Sequence, residues 1–132
     1  MSASQRRVAV VFDEAVWSHA VDGFSEENRQ LAQSTRIRLE RSGLALDDVR
    51  ACDAEGSDGT KLPGCVKLYL PWLDAPPSQR PFAFVLRLRQ RGDELVWNFV
   101  AFGPRHPRPG VRSAYERAHR QLHGTFPRHG QR

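Results

Sequence analysis

The sequence predicts an α+β fold in the order β-α-α-β-β-β-α, with a small antiparallel-rich sheet, a helical hairpin on one of its faces and a closing helix. Three observations carry this. From Phe82 the apolar residues Phe82, Phe84, Leu86 and Leu88 fall at every second position, the period of a strand. Leu95 to Phe102 is almost wholly apolar, as a central strand covered on both faces should be. Two earlier stretches, each opened by a capping residue and closed by glycine, have the length and spacing of helices.

Taken in order, residues 1–6 are a polar leader, and Arg7–Phe12 is a short β-branched run suited to a strand. Asp13 is placed to cap a helix over Glu14–Val21, with Val16, Trp17 and Ala20 facing inward and Asp22-Gly23 ending it. Ser25 caps a longer helix to about Arg41, with Glu26 and Glu27 at its positive end and Phe24, Leu31, Thr35 and Leu39 along one side. Residues 44–61 carry little pattern: Leu44, Leu46 and Val49 suit either a helix extension or a packed loop, and Asp53–Lys61 reads as a solvated connection. Cys65–Leu70 is the next strand, Val66, Leu68 and Leu70 on one face and Cys65, Lys67 and Tyr69 on the other. Leu73–Arg80 is a proline-rich link, and Arg91-Gly92-Asp93-Glu94 is the turn joining the two long strands. Ser113 and Glu116 form a capping box, Tyr115, Ala118 and Leu122 give the last helix an apolar stripe, and Gly124 ends it.

A single domain is expected over residues 1–124, followed by a basic flexible tail at 125–132. With 39% hydrophobic and 27% charged residues, the chain has the composition of a globular domain and not of a disordered one. The net charge of +5 is unevenly spread: residues 1–75 carry −3 and residues 76–132 carry +8. Such asymmetry marks a face for a polyanion, or else a genome that uses arginine freely, since arginine supplies 18 of the 20 basic residues. Cys52 and Cys65 have neither CxxC nor zinc spacing, so no metal and no cofactor is expected. His119 and His123 stand four apart on the last helix without a third ligand and read as solvent-facing, while Trp17, Trp72 and Trp97 read as core or rim packing. Asp13, Glu14, Asp47 and Asp48 read as helix-end charges rather than a catalytic carboxylate pair. Neither a signal peptide nor a membrane-spanning run of ~20 apolar residues is visible, so a cytoplasmic location is expected.

If the last three strands form a meander, the sheet face away from the helical hairpin carries Lys67, Tyr69, Arg87 and Arg89. Arg105 then lies at the end of the central strand, in the basic loop Arg105-His106-Pro107-Arg108, with Arg112 just before the cap and Tyr115 leaning over the same surface. An open sheet face with these residues suits a phosphate backbone; a solvated, arginine-rich face is the plainer alternative.

The order of these pieces resembles the RelE/ParE superfamily of bacterial toxins. The likeness spans about Val8 to Gly124 and rests on VAVVFDEAVW, LPGCVKLYL, FAFVLRLRQRGDELVWNFVAFG and GPRHP followed by SAYERAHRQL. RelE-type members are metal-independent endoribonucleases that cut messenger RNA, usually on the ribosome, and halt translation; ParE-type members poison DNA gyrase. Both are held inactive by an antitoxin protein, which would be the partner here. The resemblance implies that Arg105 holds the scissile phosphate and that Lys67 stabilises charge. It implies that Tyr115 stacks on a base or assists proton transfer, and that His106 acts as general acid or base. Arg87, Arg89, Tyr69, Arg108 and Arg112 are the implied nucleic-acid contacts. A gyrase poison and a non-catalytic RNA- or partner-binding relative remain the alternatives.

Overall fold

A computed structural model describes residues 6–52, 62–71 and 76–124. The expected loop at 53–61, the first part of the proline-rich link with Trp72, the tail at 125–132 and residues 1–5 of the leader lie outside the described residues.

The chain is mixed α+β. Strand β1 (Arg7–Val11) leads into helices α1 (Glu14–Val21) and α2 (Glu26–Ser42). Two short strands follow, β2 (Leu44–Ala45) and β3 (Arg50–Ala51), separated by a single 3₁₀ turn at Leu46–Asp48. Then come β4 (Cys65–Leu70), β5 (Phe82–Arg91), β6 (Glu94–Pro104) and helix α3 (Ala114–His123). The sheet runs β2-β1-β6-β5-β4-β3. β4, β5 and β6 form the antiparallel meander expected from their alternation, while β1 lies parallel to β6 over Val96–Asn98. The six-strand count corrects the four read from sequence. β2 and β3 have two residues each, too few for any periodicity to be seen.

The caps behave as their chemistry requires. The Asp13 side chain accepts from the Ala15 and Val16 amides, and Ser25 from Asn28. Ser113 and Glu116 close a reciprocal capping box, and Gly124 ends α3 in the left-handed conformation.

The α1/α2 hairpin covers one sheet face. There an aromatic nest forms, Phe12 stacking on Phe99 at 5.1 Å and Phe84 meeting Phe99 edge-on at 5.0 Å, with Trp17 against both. Arg36 of α2 is buried over this nest, 4.9 Å from the Phe12 ring and 5.0 Å from Trp17. Its guanidinium donates to the carboxylates of Glu14 and Glu40, tying α1 to α2 and holding the Glu14 carboxyl below its usual range. Glu14 is therefore a helix-end charge and a tie between helices. The buried indole of Trp97 is satisfied by donating to Leu44 O at 3.3 Å.

The second face is where the structure departs from expectation. The meander was expected to leave that face open, but α3 lies on it. Its layer is built from small residues: Ala83, Val85, Val100 and Ala101 from the sheet, Ala114 and Ala118 from the helix, with Cys52, Leu62 and Cys65 beside them. Two local features let the helix in. A register shift in the β5/β6 pairing sets Val85 against Ala101 and Leu86 against Phe99, so that Val100 and Ala101 both join the α3 layer. At Gly103 a Cβ would stand 3.1 Å from the backbone N and Cα of Ala114 and from the Arg117 stem. The apolar stripe of α3 was legible in the sequence; the surface that receives it is an alternation of alanine, valine and glycine that advertises no partner.

Gly103→Val should therefore push α3 off the sheet at a cost of about 1–3 kcal/mol. A chemical denaturation curve is expected to show a lowered midpoint; a midpoint equal to the parent's would remove close approach at Gly103 as a constraint.

Candidate functional site

Register alone brings the first site residues together. In β4, Cys65, Lys67 and Tyr69 pair with Arg87, Val85 and Ala83, so all six point to the α3 face. Arg50 of β3 stands directly opposite Lys67 and shares that face. From the far side, β6 delivers Arg105: its backbone N–H donates to Pro81 O at 2.8 Å, continuing the ladder one residue beyond the strand. From above, the first turn of α3 delivers Tyr115.

These groups meet in one cluster. The Arg105 guanidinium lies 3.6 Å from the Tyr69 ring centroid, donates from Nη1 to Arg80 O at 2.8 Å and hydrogen-bonds the Tyr115 hydroxyl. The Lys67 ammonium sits 5.4 Å from the Tyr115 ring and 5.7 Å from the Tyr69 ring. The Arg50 guanidinium also stands over Tyr69, at 5.7 Å. Three cations thus hold to the faces and edges of two phenols from four separate stretches of chain. Among the described residues no ion pair joins Lys67 or Arg50 to a carboxylate.

The electrostatics assign chemical capacities. Burial, and then the neighbouring Tyr69, push the Tyr115 phenol up to about 12 against the opposing pull of Arg105. Tyr115 is a neutral hydrogen-bond donor at physiological pH, able to give a proton and poorly suited to take one. Arg105 is held by these contacts, so its guanidinium keeps a set position instead of swinging to meet a ligand. Burial also raises both thiols, Cys52 to about 12, so neither is a nucleophile near neutrality. Cys52 and Cys65 are both free and buried, joined at the backbone by Cys52 N–H to Cys65 O at 3.0 Å.

The other sequence-predicted residues scatter. His106 and Arg108 are exposed in the loop beyond β6. Arg87 is on the cluster's face, one pair further along the strands than Lys67, while Arg89 lies a further pair away, across from Val96. Arg89 and Arg105 are separated by roughly 25–30 Å of sheet at ~3.3 Å per residue. Arg87 and Arg89 line a shallow groove with Gln121 and Leu122 at the far end of α3. Arg112 lies in a different cleft, with Arg117 and His19. His119 and His123 have ring centroids 4.1 Å apart, and among the described residues no three metal-ligating side chains gather. Sequence reasoning missed Arg50 altogether. It sits in a two-residue strand inside the least patterned segment, and no local signal marks it.

Neither protein-family models, nor curated proteins, nor solved structures give a match to this chain. Among the described residues no helix is long and apolar enough to cross a membrane.

The Tyr115 environment is directly measurable. In Tyr69→Phe, Tyr115 is the sole tyrosine of the two in the chain. With burial still acting, its phenolate absorbance is expected to rise above pH 10 in the folded protein and near 10 once unfolded. Because the folded value is raised, this contribution to stability is full below pH 10 and is lost as pH climbs towards about 12. Identical folded and unfolded titrations would show that the phenol is solvated.

Proposed function

We propose that the cluster of Lys67, Tyr69, Arg105 and Tyr115 is a phosphodiester site and that the chain is a RelE-like endoribonuclease. In this reading it is the toxin half of a toxin–antitoxin pair, acting on messenger RNA in the cytoplasm, on or off the ribosome, and held in check by its antitoxin. The single observation that carries the reading is the Arg105 guanidinium, locked 3.6 Å over Tyr69 with Lys67 5.4 Å from the Tyr115 ring. That is a preorganised set of cationic and phenolic donors, and among the described residues no acidic side chain pairs with Lys67. The layout of the fold also supports it. The opening strand lies parallel beside the last one, the hairpin β5/β6 carries the arginine, and the closing helix brings the tyrosine over the same face.

The chemistry is transesterification. The ribose 2′-oxygen attacks phosphorus, the O2′–P bond forms as the P–O5′ bond breaks, and a 2′,3′-cyclic phosphate and a 5′-hydroxyl result. Lys67 and Arg105 face the charge that grows on the non-bridging oxygens. Tyr115, neutral and hydrogen-bonded to Arg105, gives its proton to the departing 5′-oxygen. His106, next in the chain to Arg105, supplies the imidazole that takes the 2′-proton. A second reading, RNA binding without cleavage, is favoured by one observation: among the described residues no imidazole or carboxylate enters the contacts of the cluster, His106 being exposed outside them.

Purified protein is expected to cut single-stranded RNA in the presence of a chelator, leaving cyclic phosphate and 5′-hydroxyl ends, and to spare a substrate with a 2′-deoxy residue at the cut. Lys67→Ala and Tyr115→Phe should each slow cleavage by about 10²-fold or more. Retained, salt-sensitive RNA binding with no cleavage, with or without ribosomes, selects the non-catalytic reading. DNA damage with intact messenger RNA in expressing cells selects a gyrase poison.

A further inference from the structure

β1 pairs with β6 only as far as Asn98, so the second half of β6 has an unpaired edge on that side. The end of α1 and the side of α3 meet there, leaving a cleft of about 240 Å³ lined by His19, Asp22, Arg112, Arg117 and Arg120 over a floor of Val100 and Ala101. It lies across α3 from the Lys67 cluster, and none of the residues lining it belongs to that cluster.

Arg117 is the anchor of this cleft. Its stem passes Gly103, its guanidinium stands 4.9 Å over the Phe24 ring, and Nη2 donates to Ala20 O at 3.0 Å. That single bond is all it makes among the described residues, and its Nε–H is buried without an acceptor. Arg112 makes no hydrogen bond or ion pair among the described residues. Burial and then the nearness of Arg112 both work against the charge of Arg117, and Asp22 only partly offsets them without forming an ion pair with either arginine. A half-buried guanidinium crowded by a second one, with donors to spare, is an arrangement that an oxyanion completes. The donors come from planar forks on different turns of chain, which suits a tetrahedral group better than a flat carboxylate.

The geometry points to a second binding site, in which Arg112 and Arg117 hold a phosphoryl group in the cleft between α1 and α3. The group comes either as a free or terminal phosphate or as a backbone diester of a nucleic acid, and the site stands whether or not the Lys67 cluster cuts RNA.

Inorganic phosphate is the first probe, titrated against chloride at matched ionic strength. The melting temperature is expected to rise by about 5 °C when phosphate reaches roughly ten times its Kd. Arg112→Ala, an exposed change that leaves the fold intact, should abolish most of that rise. Arg91→Ala, which removes the same charge at the β5/β6 turn, should keep it, and so should Lys67→Ala, which separates this site from the proposed cleavage site. Single-stranded RNA oligomers with a 5′-phosphate or a 5′-hydroxyl then tell the sources apart. Arg112-dependent binding of only the first assigns a terminal phosphate, and of both assigns the diester backbone. A rise no larger than chloride gives, or one equal in Arg112→Ala and the parent, overturns the site.

Discussion

Helix α3 lies so close to β6 that, at Gly103, a single added carbon would stand 3.1 Å from the backbone of Ala114. That close approach organises the second face of the molecule. It is possible because the layer beneath the helix is alanine, valine and glycine, and because the register shift near Val100 turns two consecutive small residues towards it. From this one seat the helix sends Tyr115 to one side, into the Lys67 cluster, and Arg117 to the other, across to Ala20 and Phe24. Moving α3 by a fraction of an ångström alters both sites at once.

The two sites handle cationic charge in different ways. In the Lys67 cluster the cations stand over the rings of Tyr69 and Tyr115, and burial keeps the Tyr115 phenol protonated well above its ordinary range against the pull of Arg105. The guanidinium there is held on three sides, so its order is built before any ligand arrives, which is how a site lowers the cost of organising charge at the moment of binding. In the α1/α3 cleft, Arg117 has one hydrogen bond and one ring for support, and like charge beside it. In the first site the guanidinium is held in place; in the second it is crowded by like charge.

Opposite them, the first face is built on aromatic packing. Phe12, Trp17, Phe84 and Phe99 interlock, and Arg36 sits over them as a buried cation whose partners come from both helices of the hairpin. Both carboxylates, Glu14 and Glu40, are themselves exposed, so these ties fix the hairpin's position on the sheet more than they add to stability. A rigid first face is what lets the second face hold its side chains to set distances.

The secondary-structure elements were written in local sequence. The caps at Asp13, Ser25 and Ser113, the alternation in β4 and β5 and the apolar run of β6 depend on neighbours a few residues away, and each was legible. The meeting of Lys67, Tyr69, Arg105 and Tyr115 could be expected because strand parity and register follow from the same alternation. Packing in three dimensions supplied the remainder. It showed that α3 covers the face expected to be open and that Arg50 joins the cluster from a strand too short to have a period. It carried Arg89 far from Arg105, and it put Arg112 with Arg117 in a cleft of its own. Those outcomes turn on which surfaces are small enough to admit a helix and on where β1 stops pairing. Both are properties of contacts between residues up to 97 positions apart, as Arg117 and Ala20 are, and no local pattern encodes them.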